Sequence, residues 1–151
     1  MLSPAQVEAY KRDGYVFPID VMSPAEVGGY RRKLEAYEAS AGGPIQGNLR
    51  HKPHLLFTWV NELIRHPKIL DAVADILGPD LLCWSTSFFI KEANDLGYVS
   101  WHQDSTYWGL SSPDVTTVWL AFSPANEISG AMKFLPGTQH QQVVHTDTFH
   151  K

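Results

Sequence analysis

The sequence predicts an α+β domain, helical over residues 1–80 and built from antiparallel strands over 81–151, whose sheet part is expected to be a jelly roll. Three observations carry that expectation. A helix-start signature occurs twice near the N-terminus, the apolar period stays near 3.6 as far as Leu77, and from Leu81 it changes to two. With 151 residues, 44% of them hydrophobic and 12% aromatic, the chain suits one domain with a packed core.

The matching starts are Ser3-Pro4-Ala5-Gln6 and Ser23-Pro24-Ala25-Glu26. Each offers a Ser N-cap, a Pro at the first helical position, and a Gln or Glu three residues after the cap to close a capping box. The first helix carries Val7 and Tyr10 on one side and stops at Gly14. The second runs through Val27, Tyr30, Leu34 and Tyr37 and ends before Gly42-Gly43. Between them, Tyr15 to Ile19 reads as a short strand. Gly42 to Pro53 reads as a loop, with turn formers at Gly43-Pro44 and Gly47-Asn48. A helical hairpin follows. Leu56, Val60, Leu63 and Ile64 form one apolar stripe; then Pro67 restarts a helix whose Ile69, Leu70, Val73, Ala74 and Leu77 face the core until Gly78-Pro79. Strand candidates are Leu81 to Lys91, Tyr98 to Gln103, Val115 to Phe122 and Ala131 to Leu135, rich in aromatic and β-branched residues and separated by turn formers.

Twelve basic residues stand against sixteen acidic ones, and no basic cluster exceeds Arg31-Arg32-Lys33. That balance argues against nucleic acid or an anionic membrane as the main partner. No apolar stretch approaches the roughly 18 residues of a membrane span, and the first residues lack a signal-peptide pattern, so a soluble cytoplasmic protein is expected. Cys83, within Leu81-Leu-Cys-Trp84, is expected as a small core residue.

The richest segment is Ser100 to Tyr107, which holds His102-Gln103-Asp104. In an extended backbone, residues two apart project from the same face, so one imidazole and one carboxylate converge in front of the sheet. These are two of the three ligands of an iron-binding facial triad. Seven His and nine Asp predict roughly 0.4 His-x-Asp matches by chance, and a second match, His145-Thr146-Asp147, exists in a polar tail. Context favours His102 and Asp104, which lie between two strand-like runs. Trp101, Tyr107 and Trp108 flank the motif as a candidate apolar wall for substrate, or as core aromatics. Ser105 and Thr106 are candidate hydrogen-bond partners of the ligands. Arg50-His51-Lys52-Pro53-His54 is a local basic patch suited to an anion, or simply a solvated loop.

With these residues in view, the chain resembles the phytanoyl-CoA dioxygenase family of non-haem iron(II), 2-oxoglutarate-dependent oxygenases over nearly its whole length. The resemblance rests on an opening helix followed by Asp13-Gly-Tyr-Val-Phe17, on Trp101-His-Gln-Asp104, on Val118-Trp-Leu-Ala121, and on Ser129 to Thr138 ending in Pro-Gly-Thr, in the family's order and spacing. It implies a double-stranded β-helix, a cupin-like jelly roll with supporting helices, and iron(II), 2-oxoglutarate, dioxygen and a small-molecule substrate as partners. His102 and Asp104 would be the first two iron ligands; Lys52 would contribute to the 2-oxoglutarate pocket and Trp119 would line it. Relatives that halogenate replace the carboxylate at the position of Asp104 with a small residue, so hydroxylation is expected.

The departure from the family pattern lies at the C-terminus. Family members place a second histidine ligand and a basic anchor for 2-oxoglutarate several tens of residues beyond the Pro-Gly-Thr turn. The downstream candidates here are His140, His145 and His150, each read as a solvated residue before a ligand. Three explanations compete: a fragment of a longer enzyme, which is favoured; a short paralogue that binds without turnover; or strands supplied by another chain. A jelly roll without its last strands leaves edges uncovered, so an isolated chain is expected to be unstable, aggregated or paired with itself. The rival function is a non-catalytic ligand-binding or interaction module in which His102 and Asp104 form a buried hydrogen-bonded pair. A zinc hydrolase is disfavoured, since no His-Glu-x-x-His helix is present.

Overall fold

A computed structural model describes residues 1–112 and 114–146. Local capping chemistry sets the start of both long helices. In α1 (Pro4–Asp13) the Ser3 hydroxyl accepts from the Gln6 backbone N–H, while the Gln6 side chain accepts from Ser3 N at 2.9 Å. In α2 (Pro24–Ala41) Ser23 and Glu26 repeat the exchange, with Ser23 N donating to the carboxylate at 2.8 Å. Gly14 (φ 85°) and Gly42 (φ 77°) end these helices in the left-handed conformation that glycine adopts without strain.

The hairpin comprises α3 (Thr58–Ile64) and α4 (Pro67–Leu77). Its second helix buries Ile69 and Ala72, whereas Leu70 and Leu77 are each 37% exposed. The apolar stripe of α4 is thus rotated from the expected one, because helix-to-core packing chooses among the several apolar faces that a Leu- and Ile-rich helix offers.

The core centres on Leu34, Ile45, Trp59, Val60 and Leu63. Ile45, in the segment expected as a plain loop, is among the most deeply buried residues at 1% exposure. Its N–H donates to the Glu38 carboxylate at 3.0 Å and its carbonyl accepts from Arg50 Nε at 2.7 Å, so the turn buries no unpaired backbone polar group at this residue. Tyr30, Tyr37 and Phe57 extend this core from the helical half; Phe88, Ile90, Leu120 and Phe122 reach it from the second half.

The expected strands do not form among the described residues. Pairing is limited to one antiparallel bridge, His51 with Ser87, flanked by Lys52 N to Thr86 O (2.7 Å) and Phe88 N to Arg50 O (3.0 Å). Thr86, Phe88 and Ile90 still turn inward while Ser87 and Phe89 turn outward, so the period-two pattern is kept without a ladder. A ladder needs a neighbour in register, and the other extended segments lack one here. Tyr15 to Ile19, Tyr98 to Gln103, Val115 to Phe122 and Ala131 to Leu135 are accordingly irregular, and the double-stranded β-helix is not formed as a sheet. For the same reason Cys83 is exposed, not a core residue, beside Leu82 at 97% exposure. Among the described residues no helix is long and apolar enough to cross a membrane.

Candidate metal centre

The His102 motif lies on a bend that enters a one-turn helix, α5 (Ser105–Trp108), instead of on a strand. Asp104 is already in the right-handed helical region (φ −55°, ψ −41°), and this curl brings its carboxylate back onto the imidazole. His102 Nε2 and Asp104 Oδ1 are 3.0 Å apart, with side chains 35% and 47% exposed. The convergence expected from an extended backbone is thus achieved by a turn.

The surroundings of the imidazole define what fits between the pair. His102 Nδ1 lies 2.8 Å from the carbonyl oxygen of Ser100, an atom that can only accept. Nε2 faces the carboxylate, which accepts only when ionised. A neutral imidazole has one N–H and cannot satisfy both contacts. With Nδ1–H donating to Ser100, the Nε2 lone pair and the carboxylate are two donor atoms that one cation could take together; an imidazolium, with two N–H groups, satisfies both contacts without one. Two ligand atoms each about 2.1 Å from one ion and at right angles would be about 3 Å apart, so the donor set and its spacing fit two positions on a metal. A third protein ligand is not assembled: among the described residues no group of three or more His, Cys, Asp or Glu could hold an ion.

The downstream histidines are engaged elsewhere. His145 Nε2 accepts from the Gln103 backbone N–H at 2.7 Å, and Nδ1 contacts the Val143 carbonyl at 2.7 Å. Both of its ring nitrogens are therefore used by protein. His140 Nε2 lies 3.0 Å from the Gln139 side-chain amide. His150, and Asp147 of the second His-x-Asp match, lie outside the described residues.

Tyr107 meets both imidazoles edge-on, with ring centroids 6.2 Å from His102 and 5.7 Å from His145. Trp108 packs on Trp84 at 5.4 Å, and Trp101 is 62% exposed. Ser105 and Thr106 bond to Gln142 and His145, not to the candidate ligands. Lys52 is held at φ 51°, a conformation rare for a side-chain-bearing residue, and Trp119 is 44% exposed. No hydrogen bond or ring contact joins either to the His102 pair among the described residues. The neighbouring basic patch is partly structural: Pro53 and His54 are buried, and His54 Nδ1 sits 2.6 Å from Thr86 Oγ1.

Gln103 is the residue that sequence reasoning passed over. Its side chain points away from the ligands and donates to the carbonyls of Thr138 and Gln141, both at 2.9 Å, while its own carbonyl accepts from Val143 N at 2.8 Å. The available signal was its place as the middle residue of His-x-Asp, which in an extended reading faces away from its neighbours.

The family model for phytanoyl-CoA dioxygenase matches residues 10–150. The chain belongs to the phytanoyl-CoA dioxygenase family. Within curated proteins it is similar to a probable alpha-ketoglutarate-dependent hypophosphite dioxygenase from Stutzerimonas stutzeri, 30% identical over 60% of this chain and 32% of the relative. It is 22% identical to an L-proline trans-4-hydroxylase of Streptomyces griseoviridis, over 89% of this chain and 54% of that protein. An ectoine dioxygenase of Streptomyces coelicolor is 24% identical over 91% of this chain and 51% of its own length. The chain thus spans a third to about half of the length of these relatives. No solved structure matches it significantly. Phytanoyl-CoA dioxygenase family membership brings a jelly-roll fold as the family's architecture, which the described residues of this chain do not display as a sheet.

Proposed function

We propose that the protein is an iron(II)- and 2-oxoglutarate-dependent dioxygenase that hydroxylates a small organic molecule, with residues 1–151 forming part of that enzyme and supplying its first two metal ligands. The observation that carries the reading is the His102–Asp104 pair, 3.0 Å apart, half-exposed, and faced by acceptors on both imidazole nitrogens. A buried hydrogen-bonded pair, the rival reading, would not be so exposed.

His102 and Asp104 would bind the ion through one borderline nitrogen and one hard oxygen. With Nδ1–H donating to the Ser100 carbonyl, Nε2 would present its lone pair to the ion. Iron(II) with 2-oxoglutarate, when bound, supplies dioxygen activation coupled to decarboxylation to succinate. Lys52, presented to solvent on a left-handed turn, would neutralise a carboxylate of 2-oxoglutarate, and Trp119 would line the same pocket. Trp101, Tyr107 and Trp108 would give the substrate an apolar wall and limit water. As a metal ligand, the Asp104 carboxylate would take the position that a halide needs in halogenating relatives, which favours hydroxylation.

The relatives act on molecules as different as ectoine, L-proline and hypophosphite, so the substrate is sought among compact polar metabolites. The test is anaerobic iron(II) titration of the intact protein, then 2-oxoglutarate-dependent succinate formation with such a panel. Binding of one ion, lost in His102→Ala and Asp104→Ala, is expected. An intact protein that binds no iron(II) and forms no succinate would overturn the proposal.

A further inference from the structure

We infer that the metal-binding pair is positioned from the N-terminal helix through one turn, residues 136–143, whose Gln139 grips the helix end and whose backbone is gripped by Gln103. The inference rests on the reading of His102 and Asp104 as metal ligands, and it concerns what holds them in place.

Four carbonyls at the end of an α-helix lack intrahelical partners, and something must satisfy them. In α1 all four are met. Tyr10 O accepts from Gly14 N at 2.8 Å, and Asp13 O accepts from Gly137 N at 3.0 Å. Lys11 O and Arg12 O accept from the Gln139 side chain at 2.9 and 3.2 Å. Gly14 makes room for this contact: a Cβ there would lie 2.6 Å from Gln139 Oε1, and its φ of 85° already disfavours a side chain. The turn is therefore docked on the helix end by both backbone and side chain.

The other side of the turn carries the motif. Gln103 uses both amide hydrogens and its carbonyl on the backbone of Thr138, Gln141 and Val143, and its own N–H goes to His145. Four bonds thus hold the residue between the two ligands to a segment 35 to 42 positions later. Rotation of the His102–Asp104 backbone would break them together, so the spacing of the pair is set by the turn. Gln103 and Gln139 are positioning residues: neither is directed at the ion.

The test uses the intact protein with Gln103→Met, Gln139→Met and the double variant, which keep side-chain length and remove the bonds. Cobalt(II) affinity and the visible absorption of the bound cobalt report the ligand geometry. Gln103→Met is expected to weaken cobalt binding about tenfold or more. Gln139→Met, remote from the ion, is expected to weaken it about threefold and to shift the same absorption band. The double variant should lose less than the product of the two, because both act through one turn. Imidazole nitrogen resonances of His102 in the metal-free protein give a second readout that does not depend on metal binding. They should move in both single variants while the Tm changes little. A Gln139→Met protein whose cobalt affinity, spectrum and His102 resonances match the wild type would overturn the relay. A wild type that binds no cobalt, with His102 resonances that still respond to Gln139→Met, would overturn the oxygenase reading and leave the relay supported.

Discussion

Trp59 is the point where the helical half and the second half of the chain meet, and its removal should separate stability from metal binding. Its ring, 9% exposed, lies 6.3 Å from Tyr30 and 5.9 Å from Phe57 on one side, and 5.7 Å from Phe88 and 6.4 Å from Phe122 on the other. Truncating a buried Trp to Ala costs about 3–5 kcal/mol, and each aromatic pair contributes about 0.5–1.5 kcal/mol of specific geometry within that loss. Four pairs disappear together here, so Trp59→Ala is placed near the upper end, about 4–5 kcal/mol. Against a total of about 5–15 kcal/mol that is a large share, and Trp59→Phe should fall between. Among the described residues, none of the hydrogen bonds around His102 runs through Trp59. Urea denaturation of the intact protein followed by far-UV circular dichroism measures the first quantity, and metal titration well below the transition measures the second. A loss under about 1 kcal/mol, or a metal affinity that falls while the protein remains folded, would refute this division of labour.

Two further outcomes follow from the helix ends and the lone thiol. Bonds from Ser23 hold the Glu26 carboxyl below its usual range, so the capping contribution is full above the ordinary glutamate pKa and is lost as pH falls through the lowered folded value. Glu26→Gln should flatten that acid limb, since Gln6 caps α1 without a charge; an unchanged limb in a stability–pH profile would count against it. Cys83 is exposed, yet desolvation by its neighbours raises its thiol above the ordinary value. Native protein should therefore react with an alkylating reagent without denaturant, at a rate still climbing above the usual thiol range; labelling only after unfolding would restore the core assignment.

Helix boundaries were readable because their determinants are local. Ser3 with Gln6 and Ser23 with Glu26 act within three residues, and Gly14 and Gly42 act at a single position. The strands were not readable in the same sense. Alternation such as Thr86, Phe88 and Ile90 records which side faces the core, but a ladder depends on a distant partner that composition does not reveal. Ile45 was missed because one apolar residue after Gly43-Pro44 has no period to betray it. In the candidate site, the pairing of His102 with Asp104 was legible from their spacing. The curl that achieves it was not, and neither was the clamp on Gln103, whose partners are Thr138, Gln141 and Val143.

The exposed apolar residues of the second half make one more outcome calculable in direction. Leu82, Leu96, Ile128 and Val144 are 95–99% exposed, and Tyr98, Phe89 and Trp101 exceed 60%. Burial returns roughly 25 cal/mol per Å² of apolar surface, and soluble monomers seldom leave contiguous patches of more than a few hundred Å² uncovered. Charge does little to oppose contact, since the net charge is −4 over 151 residues. A polypeptide limited to residues 1–151 should therefore pair with itself through these segments as concentration rises, because extended backbone with free N–H and C=O groups is also a template for strand pairing. Sedimentation velocity over a concentration series reads this directly. Lys at Leu82 and Ile128 should shift the equilibrium toward monomer without touching α1 to α4. A sedimentation coefficient that stays monomeric at every concentration would mean that these side chains cover one another in solution, and the account of the second half as unpaired extended segments would fall.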